Sequence, residues 1–150
     1  MPKLVRILCA LLVLGSLVAF TGCGGGDTKA DYKKGAEKAA NHFKDSAQAA
    51  SAQVQSATTD EERLKALDAL KASVSKAADD FDALDPPKNV KADNDELVSE
   101  FRDLASIVDD VKGAVQSKDQ AAAQAALGKL AESQSKISTT IQSIESKIGK

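Results

Sequence analysis

The sequence contains no tryptophan, one histidine and a single methionine, the initiator Met1. Cysteines number two, prolines three, and aromatic residues make up only 3%. Each shortage closes a route. With His42 alone, a metal site would have one imidazole, whereas zinc in a bundle takes two or more His or Cys ligands. Haem would lack a second axial ligand, because neither another His nor a Met is left to supply it. A Ser-His-Asp arrangement would have to use His42, and no pocket signature accompanies it. A surplus of positive charge is missing as well. The first 22 residues carry only Lys3 and Arg6, so after them the 20 basic residues become 18 against 22 acidic, a net charge of −4. Nucleic-acid binding needs clustered Lys and Arg, and is not expected. What remains is enough for one domain.

The amino-terminal segment has its own grammar. Lys3 and Arg6 precede the 14-residue, mostly apolar run Ile7–Phe20, broken only by Gly15 and Ser16. A membrane-spanning helix needs roughly 20 apolar residues, so the run is too short to span. Its length and flanks fit the apolar region of a secretory signal. Phe20-Thr21-Gly22-Cys23 resembles the lipobox of bacterial lipoproteins, with Phe20 where the pattern usually carries Leu. The resemblance implies cleavage between Gly22 and Cys23, a diacylglyceryl thioether on Cys23, and an extracytoplasmic, membrane-anchored protein. Gly24, in place of an Asp after the Cys, implies that an outer membrane is open to it in a host that has one. Read without the resemblance, the segment is an ordinary secretory signal and Cys23 an incidental thiol.

Residues 1–22 are thus the expected signal peptide, residues 23–28 a lipidated Cys with a Gly-rich tether, and residues 29–150 the domain. Two or three acyl chains anchor where one would not. The tether would hold the domain within about 20 Å of the bilayer at ~3.5 Å per residue. Cys9 leaves with the signal and lipid consumes Cys23, so no thiol remains for disulfides, metal or nucleophilic catalysis.

The domain has helix composition. Alanine fills 24 of the 128 residues after Gly22, and the two remaining prolines stand together at Pro86-Pro87. Apolar residues recur at alternating spacings of three and four. Four stripes follow: Ala36 to Ala57 in about 29–57, Leu64 to Leu84 in about 60–84, Leu97 to Val115 in about 91–116, and Ala123 to Ile148 in about 118–148. Thr59 with Glu62, and Ser117 with Gln120, read as capping boxes. Asp85-Pro86-Pro87 ends the second helix. The predicted fold is all-α, an up-down four-helix bundle about 40 Å long with crossings near +20°. The alternative is three helices, with residues 29–84 continuous, because no Gly or Pro interrupts near Thr58. In the four-helix topology the tether, the Pro-Pro turn and the C-terminus share one end.

Chemistry is sparse. The acidic groups around Asp79–Asp85, Asp93–Glu96 and Asp109-Asp110 lack the Glu-x-x-His pairs of a di-iron bundle and the spacing of a calcium loop. They read as solvated faces, with Asp82, Asp85 and Asp93 across the Pro-Pro turn as the residual calcium candidate. The Ser/Thr-rich run Ser133–Ser146 reads as a polar outer face, or else a sugar or partner face. Gln134 falls on the apolar stripe, where a buried polar residue would fix register, or else it stands exposed at the bundle edge. The first helix buries mainly alanine, so it either packs closely or leaves a groove at Ala47 and Ala50 for an apolar ligand. Phe81-x-x-Leu84-x-Pro86-Pro87-x-x-Val90, followed by Leu97, Val98 and Phe101, is similar to a helical hairpin of uncharacterised exported actinobacterial proteins, which implies the hairpin alone. The expectation is therefore a protein without catalytic activity, metal or cofactor, serving as an interaction or scaffold module of the cell envelope. Its partners would be the membrane, through Cys23, and another envelope protein. A small apolar ligand carrier is the alternative. Oligomeric state is left open by the sequence.

Overall fold

The computed structural model describes residues 27–149; the leader, Gly22 and Cys23 lie outside the described residues. Four helices account for nearly all of it: α1 (Asp27–Ser56), α2 (Asp60–Asp82), α3 (Lys91–Ser117) and α4 (Gln120–Ile148). There is no strand among the described residues. Helix α1 packs on α2, α2 on α3, and α3 on α4. This is the up-down order that short connections impose.

The break between α1 and α2 is made by side chains. Thr59 is extended (φ −113°, ψ 158°) and its hydroxyl accepts the Glu62 N–H at 3.2 Å. Glu62 Oε2 reaches back to accept from the Thr58 and Thr59 N–H groups at 2.7 and 3.1 Å. The capping box thus satisfies amides that a continuous helix would have paired itself, and the three-helix alternative is excluded. Those bonds from Thr58 and Thr59 hold the Glu62 carboxyl below its ordinary range.

The second expected capping box is corrected. Ser117 belongs to the last turn of α3, where its hydroxyl donates to the Gly113 carbonyl at 2.9 Å. Lys118 takes the left-handed conformation (φ 55°), and the Asp119 N–H returns to the Ala114 carbonyl at 3.0 Å, closing a Schellman-type end. Asp119 then caps α4 by accepting the Ala122 N–H at 3.0 Å. Asp119 has the extended backbone (φ −84°, ψ 104°) that an N-cap needs, whereas Ser117 is still helical, so the cap falls on Asp119.

At the opposite end, Val90 and Lys91 donate to the Pro87 carbonyl at 2.8 and 3.0 Å, and Val90 is fully buried. Asn89 Nδ2 donates to the Lys147 carbonyl at 3.1 Å, which ties the Pro-Pro turn to the end of α4. Tyr32, near the start of α1, donates to Asn94 Oδ1 at 2.9 Å near the start of α3. The start of α1, the Pro-Pro turn and the C-terminal end of α4 therefore lie together.

The core centres on three phenylalanines. Phe101 meets Phe43 edge-on (centroids 5.1 Å apart, 73°) and stacks on Phe81 (5.7 Å, 14°). Edge-to-face and offset pairs each contribute about 0.5–1.5 kcal/mol beyond burial. Beside them, Asn94 Nδ2 donates to the Phe81 carbonyl at 3.2 Å, so Tyr32–Asn94–Phe81 joins α1, α3 and the end of α2 through a buried polar bridge. Burial, and secondarily Asp93, pushes the Tyr32 phenol well above its ordinary range. On α4 the buried polar positions are Ser133 and Thr140, whereas Gln134 is only half-buried; Thr140 donates to Glu100 at 3.1 Å.

Candidate functional site

Each expected site residue has a definite place or lies outside the described residues. Gly22 and Cys23 fall in the second group. Ala47 and Ala50 line no open groove. They are 7% and 2% exposed, held in the core by close helix contact that their single methyl groups permit. The small cavity nearer the start of α1, lined by Tyr32, Ala36, Ala40, Phe81, Leu97, Ile141 and Ile144, measures about 10 Å³. Space of that size holds one water at most, and an apolar lining keeps it dry.

A larger cleft, about 450 Å³, opens between α1 and α2. Gly35, Lys38, Ala39 and His42 come from α1, and Lys76, Asp80 and Leu84 from α2 and its end. These α1 positions follow a three-and-four spacing, which puts them on one strip facing α2. Gly35 lies at its base, where a Cβ would come 2.5 Å from Leu84 Cδ2 and the leucine side chain would have to shift. At the rim, Lys76 Nζ is 2.9 Å from Asp80 Oδ1, and His42 Nδ1 is 3.7 Å from Asp80 Oδ2. The His42 side chain is half exposed, beside rather than within the core that begins at Phe43.

Many members of the acidic clusters pair with cations. Asp82 pairs with Arg102 at 3.0 Å, Asp93 with Lys147 and Ser143, Asp110 with Lys129 at 2.8 Å, and Asp109 with Lys71. Among the described residues no three His, Cys, Asp or Glu side chains converge as metal ligands, so the Asp82, Asp85 and Asp93 grouping is not assembled. In the Ser/Thr run, Thr139 and Ser146 bond back to their own helix, at the carbonyls of Ser135 and Ser143.

One buried ionisable group escaped the sequence reading. Glu100 is 9% exposed; one oxygen accepts from Thr140 and the other, Oε2, is buried with no hydrogen-bond partner. Burial raises its carboxyl above the ordinary range. Glu100 lies two positions after Val98 and one before Phe101, on the flank of the α3 stripe. Its neighbour Thr140 was assigned to the outer face, so no signal in the sequence paired them.

No helix among the described residues is long and apolar enough to cross a membrane. No curated protein and no solved structure matches the chain. One family model covers residues 32–146, from the tyrosine of the buried bridge to the last turns of α4. The chain therefore belongs to a family of unknown function, DUF6376.

Proposed function

We propose that this protein is a non-catalytic interaction module of the cell envelope, anchored at an extracytoplasmic membrane face by lipid on Cys23. The observation that supports this reading best is the gathering of the α1 start, the Pro-Pro turn and the end of α4 at one pole, through the Tyr32–Asn94 and Asn89–Lys147 bonds. A tether of residues 23–28 would join the bundle at that pole. The turns at Thr58-Thr59 and Lys118-Asp119 would then face outward, roughly 40 Å away at 1.5 Å of helix rise per residue.

Toward that outer pole the surface changes character. No charged residue occurs from Ser46 to Thr59 or from Gln120 to Gly128. Ala49 and Ala52 on α1, and Ala121, Ala122 and Ala125 on α4, are exposed there. Those two stretches would bring no charge of their own into a contact, in keeping with the scarcity of charged residues in interface centres, while Glu61, Glu62, Lys118 and Asp119 at the turns would lie at its rim.

The test uses the full-length protein in its own host. Mass analysis of the amino-terminal peptide is expected to show lipid on Cys23, and Cys23→Ser to leave the leader attached. Photo-crosslinkers are placed at exposed Ala52 and Ala83, at opposite poles. Crosslinks to one defined envelope protein are expected from Ala52 and not from Ala83. A bare Cys23 in the mature protein would overturn the anchor, and equal crosslinking from both positions would overturn the outward-facing contact.

A further inference from the structure

We propose that the cleft between α1 and α2 binds a small amphiphilic carboxylate, with its anionic head at Lys38, His42 and Lys76 and its short apolar chain along Gly35, Ala39 and Leu84. The volume, about 450 Å³, falls within the roughly 300–1,000 Å³ typical of small-molecule sites.

The charge balance of the rim selects the head group. Asp80 is the one acid among the lining residues, and it is already shared between Lys76 and His42. Lys38, exposed on the facing helix, has no carboxylate partner among the described residues. Two ammonium groups thus face one carboxylate, and a second carboxylate from a ligand would complete the set with charge-assisted hydrogen bonds. The floor selects the rest. Gly35 brings α1 so close to Leu84 that the base of the cleft is backbone, methyl and isobutyl surface. Ala39 is buried and Leu84 half-buried, so an apolar chain laid there would shed water without displacing a polar contact. The neighbouring cavity under α1 measures about 10 Å³, too small to take an alkyl chain, so a ligand's chain would be short and lie in the cleft. This site does not depend on the lipid anchor or on an outward-facing partner.

His42 makes the test specific, because it is the single histidine in the chain and its imidazole gives one set of resonances. The full-length protein, held in nanodiscs of neutral lipid, is titrated with octanoate, with 1-octanol and with inorganic phosphate. Octanoate is expected to shift the His42 signals saturably, and the other two to do so far more weakly. Lys38→Gln sits on an exposed position and is expected to weaken octanoate binding roughly threefold to fivefold, the weight of one half-exposed ion pair. Raising the salt should narrow the difference between wild type and variant. No saturable shift with octanoate, or equal affinity in Lys38→Gln, would overturn the proposal. Equal binding of octanol would overturn the anionic head, and equal binding of phosphate would overturn the apolar chain.

Discussion

At Lys118 an L-residue occupies left-handed backbone, φ 55°. Such a residue costs about 1–2 kcal/mol relative to ordinary helical angles, and glycine does not incur that cost. Lys118→Gly is therefore expected to stabilise the fold by about 1 kcal/mol, read as a higher urea midpoint at unchanged slope. The buried bridge gives the opposite sign. Tyr32→Phe would leave Asn94 Oδ1 without its donor, an expected loss of about 1–3 kcal/mol. That loss should largely vanish in an Asn94→Leu background, which a double-mutant cycle would show. Glu100 makes a third residue-scale statement. Its folded carboxyl titrates above the unfolded one because burial disfavours the charge. Its favourable contribution is therefore complete below the unfolded value and lost as pH rises through the folded value. Glu100→Gln is expected to raise the melting temperature at neutral pH and to flatten its decline above about pH 4.5.

At the scale of the element, what matters is where each helix stops. Helices α1 and α2 are separated by neither glycine nor proline, and the Thr59–Glu62 capping box alone ends one and starts the other. Thr59→Ala is expected to cost about 1 kcal/mol. Glu62 has a lowered carboxyl, so its support is present above the unfolded value and fades as pH falls through the folded one. The Thr59→Ala deficit should accordingly shrink in acid, because the reciprocal half of the box is already weakening. Cross-helix pairs such as Arg102–Asp82 and Lys129–Asp110 are half exposed. Each is worth up to about 1 kcal/mol, so they align α2, α3 and α4 more than they hold them together.

For the whole molecule, stability rests on packing, since the described helices carry no disulfide and no metal cluster. Phe101 contacts the rings of both Phe43 and Phe81, from two different helices. Phe101→Ala is expected to cost about 3–5 kcal/mol and to broaden the thermal transition. Because the apolar stripes bury themselves within one chain, the midpoint should be independent of protein concentration in neutral-lipid nanodiscs. A midpoint that climbs with concentration would mean that part of the core is shared between copies.

Helix number, direction and approximate ends were legible in the sequence, because a seven-residue apolar repeat and a Pro-Pro turn act locally and leave few other ways to bury the stripes. Phe43, Phe81 and Phe101 each stood on such a stripe, so the core was legible too. The tertiary structure alone decided which neighbours those stripes meet. It placed Tyr32 on Asn94 across 62 positions of chain and Thr140 on Glu100 across 40, pairings that no spacing encodes. It left Gln134 half-buried and buried Ser133 and Thr140, because a helix of 3.6 residues per turn drifts against a strict seven-residue repeat. Between close packing and a groove at Ala47 and Ala50, it buried both residues, and it formed a cleft at Gly35, Lys38 and His42. Helical periodicity says which face of α1 turns inward, but how closely α2 approaches at each level depends on Leu84 and Asp80, which belong to another helix and its end.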